Sequence, residues 1–456
     1  MRILGEKRTG IWATLLLAGR LLPLLVSPLF ASPGGVPPPP LPVCDALWAT
    51  NVRVNDDAGR AQQSDPSIAV DPAANLYAIW EDRRNGNGDV FFSYRPAGAE
   101  WEANVMVNDV MGTARQSQPV IAVDLWGNAY ALWSDERNGN YDIYFSYRPA
   151  GGTWGTDVRV NDDVGTGWQA YPSIAVDPVG NAHAVWTDAR AWNWKSHIYY
   201  SYRPAGGSWG ANVRIDDDAG MDHDYQPSIG VDVDGNGYVV WEDWRDGSAD
   251  IYFSYRPAGG SWGPNVRVDD DLGSAGQWAP SIAVSGTGNA CALWEDNRDG
   301  HRQIYFSSRP ANGAWVPDAR LTETVTAAWQ LDPSVAMDPD ANAYVLWEHY
   351  QNSISGDIYS AVRPVGSSWT CSAKVDDDLG TADQSDPSLA VDTEGNAYAV
   401  WADYRSDDWD IYFSAWQWPP TPPAQEEEFV PELGTLALLA GGLLGLAGYA
   451  RLLLYK

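Results

Sequence analysis

The sequence predicts an all-β protein, a seven-bladed β-propeller of four-stranded antiparallel blades, and three observations lead there. Seven tandem copies of a unit of roughly 53 residues run from Trp48 to about Ser414. Each opens on a tryptophan (Trp48, Trp101, Trp154, Trp209, Trp262, Trp315, Trp369) and carries a second 32 residues on (Trp80, Trp133, Trp186, Trp241, Trp294, Trp347, Trp401). A unit this short cannot bury its own apolar face, so the copies must pack on one another. Within each copy, four short runs alternate apolar and polar residues and end in Gly, Pro, Asn or Asp, which is the pattern of strands and turns. The two ends are out of phase: the first copy begins with an isolated strand, Trp48 to Val54, and the last stops after IYFSAW at 411–416. The N-terminal strand is therefore expected to complete the last blade, leaving no loose edge.

The copy from Trp209 to Ser261 shows the elements in order. NVRI, PSIGV, YVVW and IYFSY are the four strands. Asp-x-x-Gly-Asn recurs between the second and third runs (Asp177 to Asn181, Asp232 to Asn236, Asp392 to Asn396), with Gly and Asn where a tight hairpin needs positive φ. RPAGG closes the next hairpin in the same way. Helical periodicity is absent outside the termini, which favours a propeller over a helical solenoid.

The repeated SYRPAGGSW resembles a degenerate Asp box, the turn of sialidase-like (BNR) propellers, and PSIAVDPxGNAYxxWxDxRxGxxDIYFS is similar to the repeats grouped with them; it also resembles NHL-type repeats. The resemblance spans all seven copies and implies the propeller fold. A sialidase-like glycoside hydrolase is the activity it implies. The arginine cluster, Tyr-Glu pair and Asp acid/base of that chemistry have no assignable counterparts in the repeats.

Residues 1–31 read as a signal peptide, with Arg2, Lys7 and Arg8 ahead of an apolar stretch from Ile11 to Phe30, and 32–43 as a Pro-rich linker. The propeller is expected over 44–416, a Pro/Glu-rich linker over 417–431 and a membrane anchor or sorting signal over 432–456. Leu433 to Leu454 has the length of one transmembrane helix, followed by Lys456. This tail resembles the PEP-CTERM type of sorting signal, which implies an exosortase-like sorting protease as a partner. The expected location is the cell surface, membrane-anchored or released after tail processing. Cys44 and Cys371 are left as a possible disulfide, and Cys291 reads as a small core residue.

The formal charge is −31, from 60 Asp and Glu against 29 Lys and Arg, and it repels phosphate backbones. Nucleic acid is excluded as a partner. Comparing the copies separates scaffold from specialisation. The Asp and Arg of W-x-D-x-R, as in Asp82 with Arg84, recur in six copies and read as a structural ion pair; the sixth copy carries His349 and Gln351 instead.

Two loops per blade share a face if the Pro-Ser strand is innermost, and those loops vary. Their aromatic residues fall on one arc: Trp168, Tyr171, Trp192, Trp194, His223, Tyr225, Trp244, Trp278, Trp329 and Tyr350. Rings of this kind stack on sugar faces, so a glycan or other cell-surface ligand is the expected partner and binding or adhesion the expected function. A purely structural envelope component is the further alternative, and no catalytic residue is assigned. For a cofactor, Ca²⁺ is the candidate. Asp216, Asp217 and Asp218 lie in a row, and Asp232 with Asp234 resembles part of a calcium loop; turn-capping aspartates are the alternative reading.

Overall fold

The computed structural model describes residues 48–417, apart from 111, 191–194, 218–222, 323–327, 351–354 and 371. The signal-like segment, both linkers, the apolar tail, Cys44 and Cys371 lie outside the described residues. The rest forms seven four-stranded antiparallel sheets, with no helix among the described residues. In the first blade the strands run Gln63–Val70, Leu76–Asp82, Asp89–Arg95 and Val105–Met106 from the axis outwards. In the last, Val52–Arg53 pairs with Asp410–Trp416, Val52 facing Phe413 and Arg53 facing Tyr412. The N-terminal strand thus closes the ring, as the phase of the repeats required.

Closure also shows along the axis. The serine after each strand-entry proline accepts the backbone N–H of the next blade: Ile121 to Ser67, Ile282 to Ser228, and, across the seam, Ile68 to Ser388, each at 3.2 Å. In the second copy Val120 replaces that serine.

The two tryptophans of each copy have separate tasks. The second is fully buried between its own blade and the preceding one, Trp80 among Val54, Ala402 and Ile411 of the last blade, and in six copies its indole N–H donates to the Asp two residues on, as Trp80 does to Asp82 at 3.0 Å. In the sixth copy His349 stands at that position, and the buried Trp347 indole N–H has no acceptor. The first tryptophan packs between blades: Trp154 meets Phe92 edge-on at 5.2 Å, and Trp101 meets Phe413 across the seam at 5.3 Å.

The W-x-D-x-R arginine bridges its own blade to the neighbour. Arg84 binds Asp82 at 2.8 Å, Asp56 at 2.7 Å and the Asn104 side chain at 3.0 Å. Most junctions use an asparagine in the last role, but the fifth uses Asp318 and the second Asp157, the latter placed against Asp109. Burial, then the Asp109 contact, raises the Asp157 carboxyl to about 7. A group raised on folding favours the fold at low pH and loses that contribution as pH climbs through its folded pKa. Asp157→Asn is therefore expected to stabilise the protein by roughly 1 to 3 kcal/mol above pH 7, the advantage shrinking as pH falls towards about 4. Melting curves across that range check this; a pH-independent difference would contradict it.

Candidate functional site

The innermost strands enter the ring through a bulge. In the first blade Ser64 pairs with Glu81 and Ser67 with Ile79, so Asp65 and Pro66 fall out of register. The same irregularity recurs in every blade and puts one non-glycine residue at positive φ each time: Asp65 (50°), Gln118 (54°), Tyr171 (54°), Gln226 (47°), Ala279 (48°), Asp332 (46°) and Asp386 (54°). Such backbone costs on the order of 1 kcal/mol per residue and persists only where its surroundings hold it. They do so here through the preceding blade. The N–H of Ala279 donates to Glu242 Oε1 at 3.0 Å, that of Asp332 to Glu295 Oε1 at 2.9 Å, and that of Asp386 to Glu348 Oε1 at 2.7 Å. Gln118 Oε1 accepts the Tyr171 N–H at 3.1 Å.

These seven residues, each followed by proline, surround the axial channel. Above one arc of them opens a cavity of about 1120 Å³, walled by Trp168, Tyr171, Tyr225 and Trp278 and carrying Asp65, Arg115, Glu242, Glu295, Arg302 and Asp332. The Trp168 and Tyr225 rings are parallel, 4° apart in plane with centroids at 6.4 Å, and His223 stacks on Tyr225 at 5.6 Å. Arg302 lies over the Trp278 ring at 4.3 Å. A side cavity of about 430 Å³ extends past Trp168, Lys195, His223 and Tyr225.

Both arginines of the cavity are held by glutamates. Arg115 grips the buried Glu81 with two hydrogen bonds, at 3.1 and 2.9 Å, and Arg302 binds Glu295 Oε2 at 2.7 Å. Glu242 is 5% exposed and makes no ion pair among the described residues. Burial, partly offset by the Ala279 N–H, raises its carboxyl to about 7. Asp65 and Asp332 also rise to about 7, through burial first and then repulsion from neighbouring carboxylates. This is a pocket of aromatic walls around protonatable carboxyls.

Of the ten aromatic residues read as ligand-binding, Trp168, Tyr171, Tyr225 and Trp278 line the main cavity, and His223 lines the side cavity. Trp244 sits beside Glu242. Trp329 and Tyr350 face each other across two strands of the sixth blade and line neither cavity. Trp192 and Trp194 lie outside the described residues. The two acidic segments read as candidate Ca²⁺ ligands lie at opposite ends of the ring. Asp216 and Asp217 follow an outer strand at the cavity end of the ring, whereas Asp232 and Asp234 sit in the hairpin turn at the opposite end; Asp218 lies outside the described residues. Asp232 caps its own turn, accepting the N–H of Asp234 at 3.1 Å and of Asn236 at 3.0 Å. Asp217 pairs with Arg245 at 3.0 Å. Asp216 does stand in a buried group with His197 and Asp224, and Arg214 binds the same Asp216 oxygen as His197.

The ring residues and the glutamates beneath them were missed by composition and motif. The available signal was twofold: the variable residue before each constant proline, and the variable x of W-x-D, which reads Glu81, Ser134, Thr187, Glu242, Glu295, Glu348 and Ala402.

No protein-family model matches the sequence. A β/α-amylase from Paenibacillus polymyxa is 32% identical over 161 residues, which is 31% of this chain and 13% of that enzyme. The chain therefore spans only a small part of that relative's length. Among solved structures, a PL25 ulvan lyase bound to -[GlcA(1-4)Rha3S]- superposes with a TM-score of 0.56 at 12% identity, covering 80% of this chain and 95% of that one. The BP39L lectin from Burkholderia pseudomallei superposes with a TM-score of 0.50 at 10% identity, covering 79% and 98%. The likeness is one of fold. A lectin and a carbohydrate-cleaving enzyme thus stand among the structural neighbours of this propeller.

Proposed function

We propose that this chain is an exported, surface-tethered propeller that binds glycans in the aromatic funnel at the mouth of its axial channel. The observation that supports it most is the joining of Trp168, Tyr171, Tyr225 and Trp278, from three blades, around one cavity of oligosaccharide size. Rings supply flat apolar faces for pyranose C–H groups, while Gln118, Gln226 and Asn140 offer donors and acceptors to hydroxyls. The tether is compatible with this geometry. The chain enters the ring at Trp48 and leaves it at Gln417, both at the end opposite the funnel, so an anchor formed by 432–456 would present the funnel outward. Cleavage of that tail by an exosortase-like protease belongs to the same proposal. Glycan-array screening of the full chain tests the binding: retention on a defined saccharide class, competed by the free oligosaccharide, is expected, and an array without specific retention removes the proposal.

A glycoside hydrolase is the second reading, favoured by Glu242. Its carboxyl, facing the Ala279 N–H and the Trp244 side chain and raised to about 7, is in the range of a general acid at neutral pH. Turnover of fluorogenic glycosides, lost in Glu242→Gln, would move the assignment from binder to enzyme.

A further inference from the structure

The charge around the funnel is unbalanced, and the imbalance indicates what kind of saccharide fits. Arg115 and Arg302 are its two arginines, and each is already paired with a glutamate. Three carboxyl groups lining the cavity, Asp65, Glu242 and Asp332, form no ion pair among the described residues. Glu242 is more than nine-tenths buried, lines the cavity and faces two neutral donors, the Ala279 backbone N–H and the Trp244 side chain. Around them stand Trp168, Tyr171, Tyr225 and Trp278, whose faces attract positive charge. Aromatic faces combined with unpaired carboxyls recognise an ammonium group and repel a uronate or a sulfate.

We infer that the funnel takes a saccharide carrying basic amino groups, with the ammonium charge balanced by Asp65, Glu242 and Asp332 and the sugar rings stacked on Trp168, Tyr225 and Trp278. This rests on the glycan-binding reading and adds the ligand's charge to it.

The pH dependence follows from the groups that face each carboxyl. Asp65 faces Asp386, Glu81, Asp332, Arg115 and the phenol of Tyr171; Asp332 faces Glu295, Glu348, Asp386, Asp65 and Arg302; Glu242 faces Glu295, Arg302 and the phenol of Tyr171. Burial and the like charges hold all three carboxyls largely protonated below about 7. A bound ammonium favours their ionised forms, so binding releases protons and affinity falls as pH is lowered from 7 to 5. The sugar amine is more fully protonated at pH 5 than at pH 7, which by itself would strengthen binding, so a loss reports the protein's carboxyls.

The test uses the full chain and three tetrasaccharides of equal length: glucosamine, N-acetylglucosamine and galacturonate, titrated by calorimetry at pH 7 and pH 5. At pH 7 the glucosamine tetramer is expected to bind at least tenfold tighter than the other two, and to lose at least fivefold at pH 5. Glu242→Gln, and separately Asp332→Asn, are expected to weaken the glucosamine tetramer about tenfold more than they weaken the N-acetylated tetramer, and an equal loss for both overturns the charge assignment. Equal or tighter binding of the neutral or acidic tetramer at pH 7 overturns the charge assignment and leaves glycan binding standing. Failure of all three, together with an array showing no retention, removes the glycan-binding reading as well.

Discussion

Removing residues 48–55 is expected to abolish cooperative folding of the whole ring. The segment supplies the outer strand of the last blade, and its contacts reach residues more than 300 positions away. Val54 is 3% exposed, and Trp48 joins the core between the last two blades while its indole N–H donates to Ser360 at 2.9 Å. Asn55 donates to Asp410 Oδ1 at 2.9 Å and accepts the Ile411 N–H at 2.8 Å, and Ala49 N–H binds the Ala415 carbonyl at 2.8 Å. Two buried side chains at about 1.5 to 3 kcal/mol each and several hydrogen bonds at about 1 kcal/mol each sum to roughly 5 to 10 kcal/mol. That equals the whole net stability of an ordinary domain. The strand Asp410–Trp416 also becomes an open edge, which templates aggregation. Size-exclusion and circular dichroism melts of the truncated chain check this. A monomer with an unshifted single transition would show that closure contributes little.

The second large effect is on binding. Trp168→Ala combined with Trp278→Ala is expected to lower affinity for the retained glycan about a hundredfold, with a melting temperature close to the parent's. Both rings are half-buried, and they face the cavity rather than the blade cores. A ring in a desolvated binding contact is worth about 1 to 2 kcal/mol, and two together give roughly 2 to 4 kcal/mol, where each 1.4 kcal/mol is tenfold. Trp329→Ala serves as the matched control: that ring is 43% exposed but lines neither cavity, so affinity should not change. Equal affinity for the double variant and the parent, or an equal loss in the Trp329 variant, would locate the ligand elsewhere.

Much of the scaffold was legible because repetition displays its own constraints. A tryptophan that returns at a fixed place in every copy is core or blade interface, as Trp80 and Trp154 are. An Asp–Arg pair that returns around the ring is structural, and Arg84 does bridge Asp82 to Asp56 of the adjoining blade. Asn75 and its six counterparts mark the hairpin turns, and the Asn75 side chain accepts the Ala97 N–H of the next turn at 3.0 Å. The phase of the two ends was enough to place Trp48 to Val54 in the last blade. The aromatic arc was visible for the same reason in reverse, since it breaks the repeat.

The periodic pattern by itself determined the number of blades, the strands in each, the closure of the ring and the face on which the variable loops gather. Those features rest on local alternation and on sevenfold recurrence, both of which are written along the chain. Tertiary structure alone decided which variable residues meet. Glu242 and Ala279 are 37 positions apart, yet share the hydrogen bond that steadies a left-handed residue, while Trp329, equally aromatic and close to the same ring, turns away from the cavity. The bulge before each proline aims one side chain at the axis, and curvature then gathers residues from separate blades into one pocket. Only there do burial and mutual repulsion hold Asp65, Glu242 and Asp332 near neutrality, because that energy depends on distance through space and not on separation along the chain.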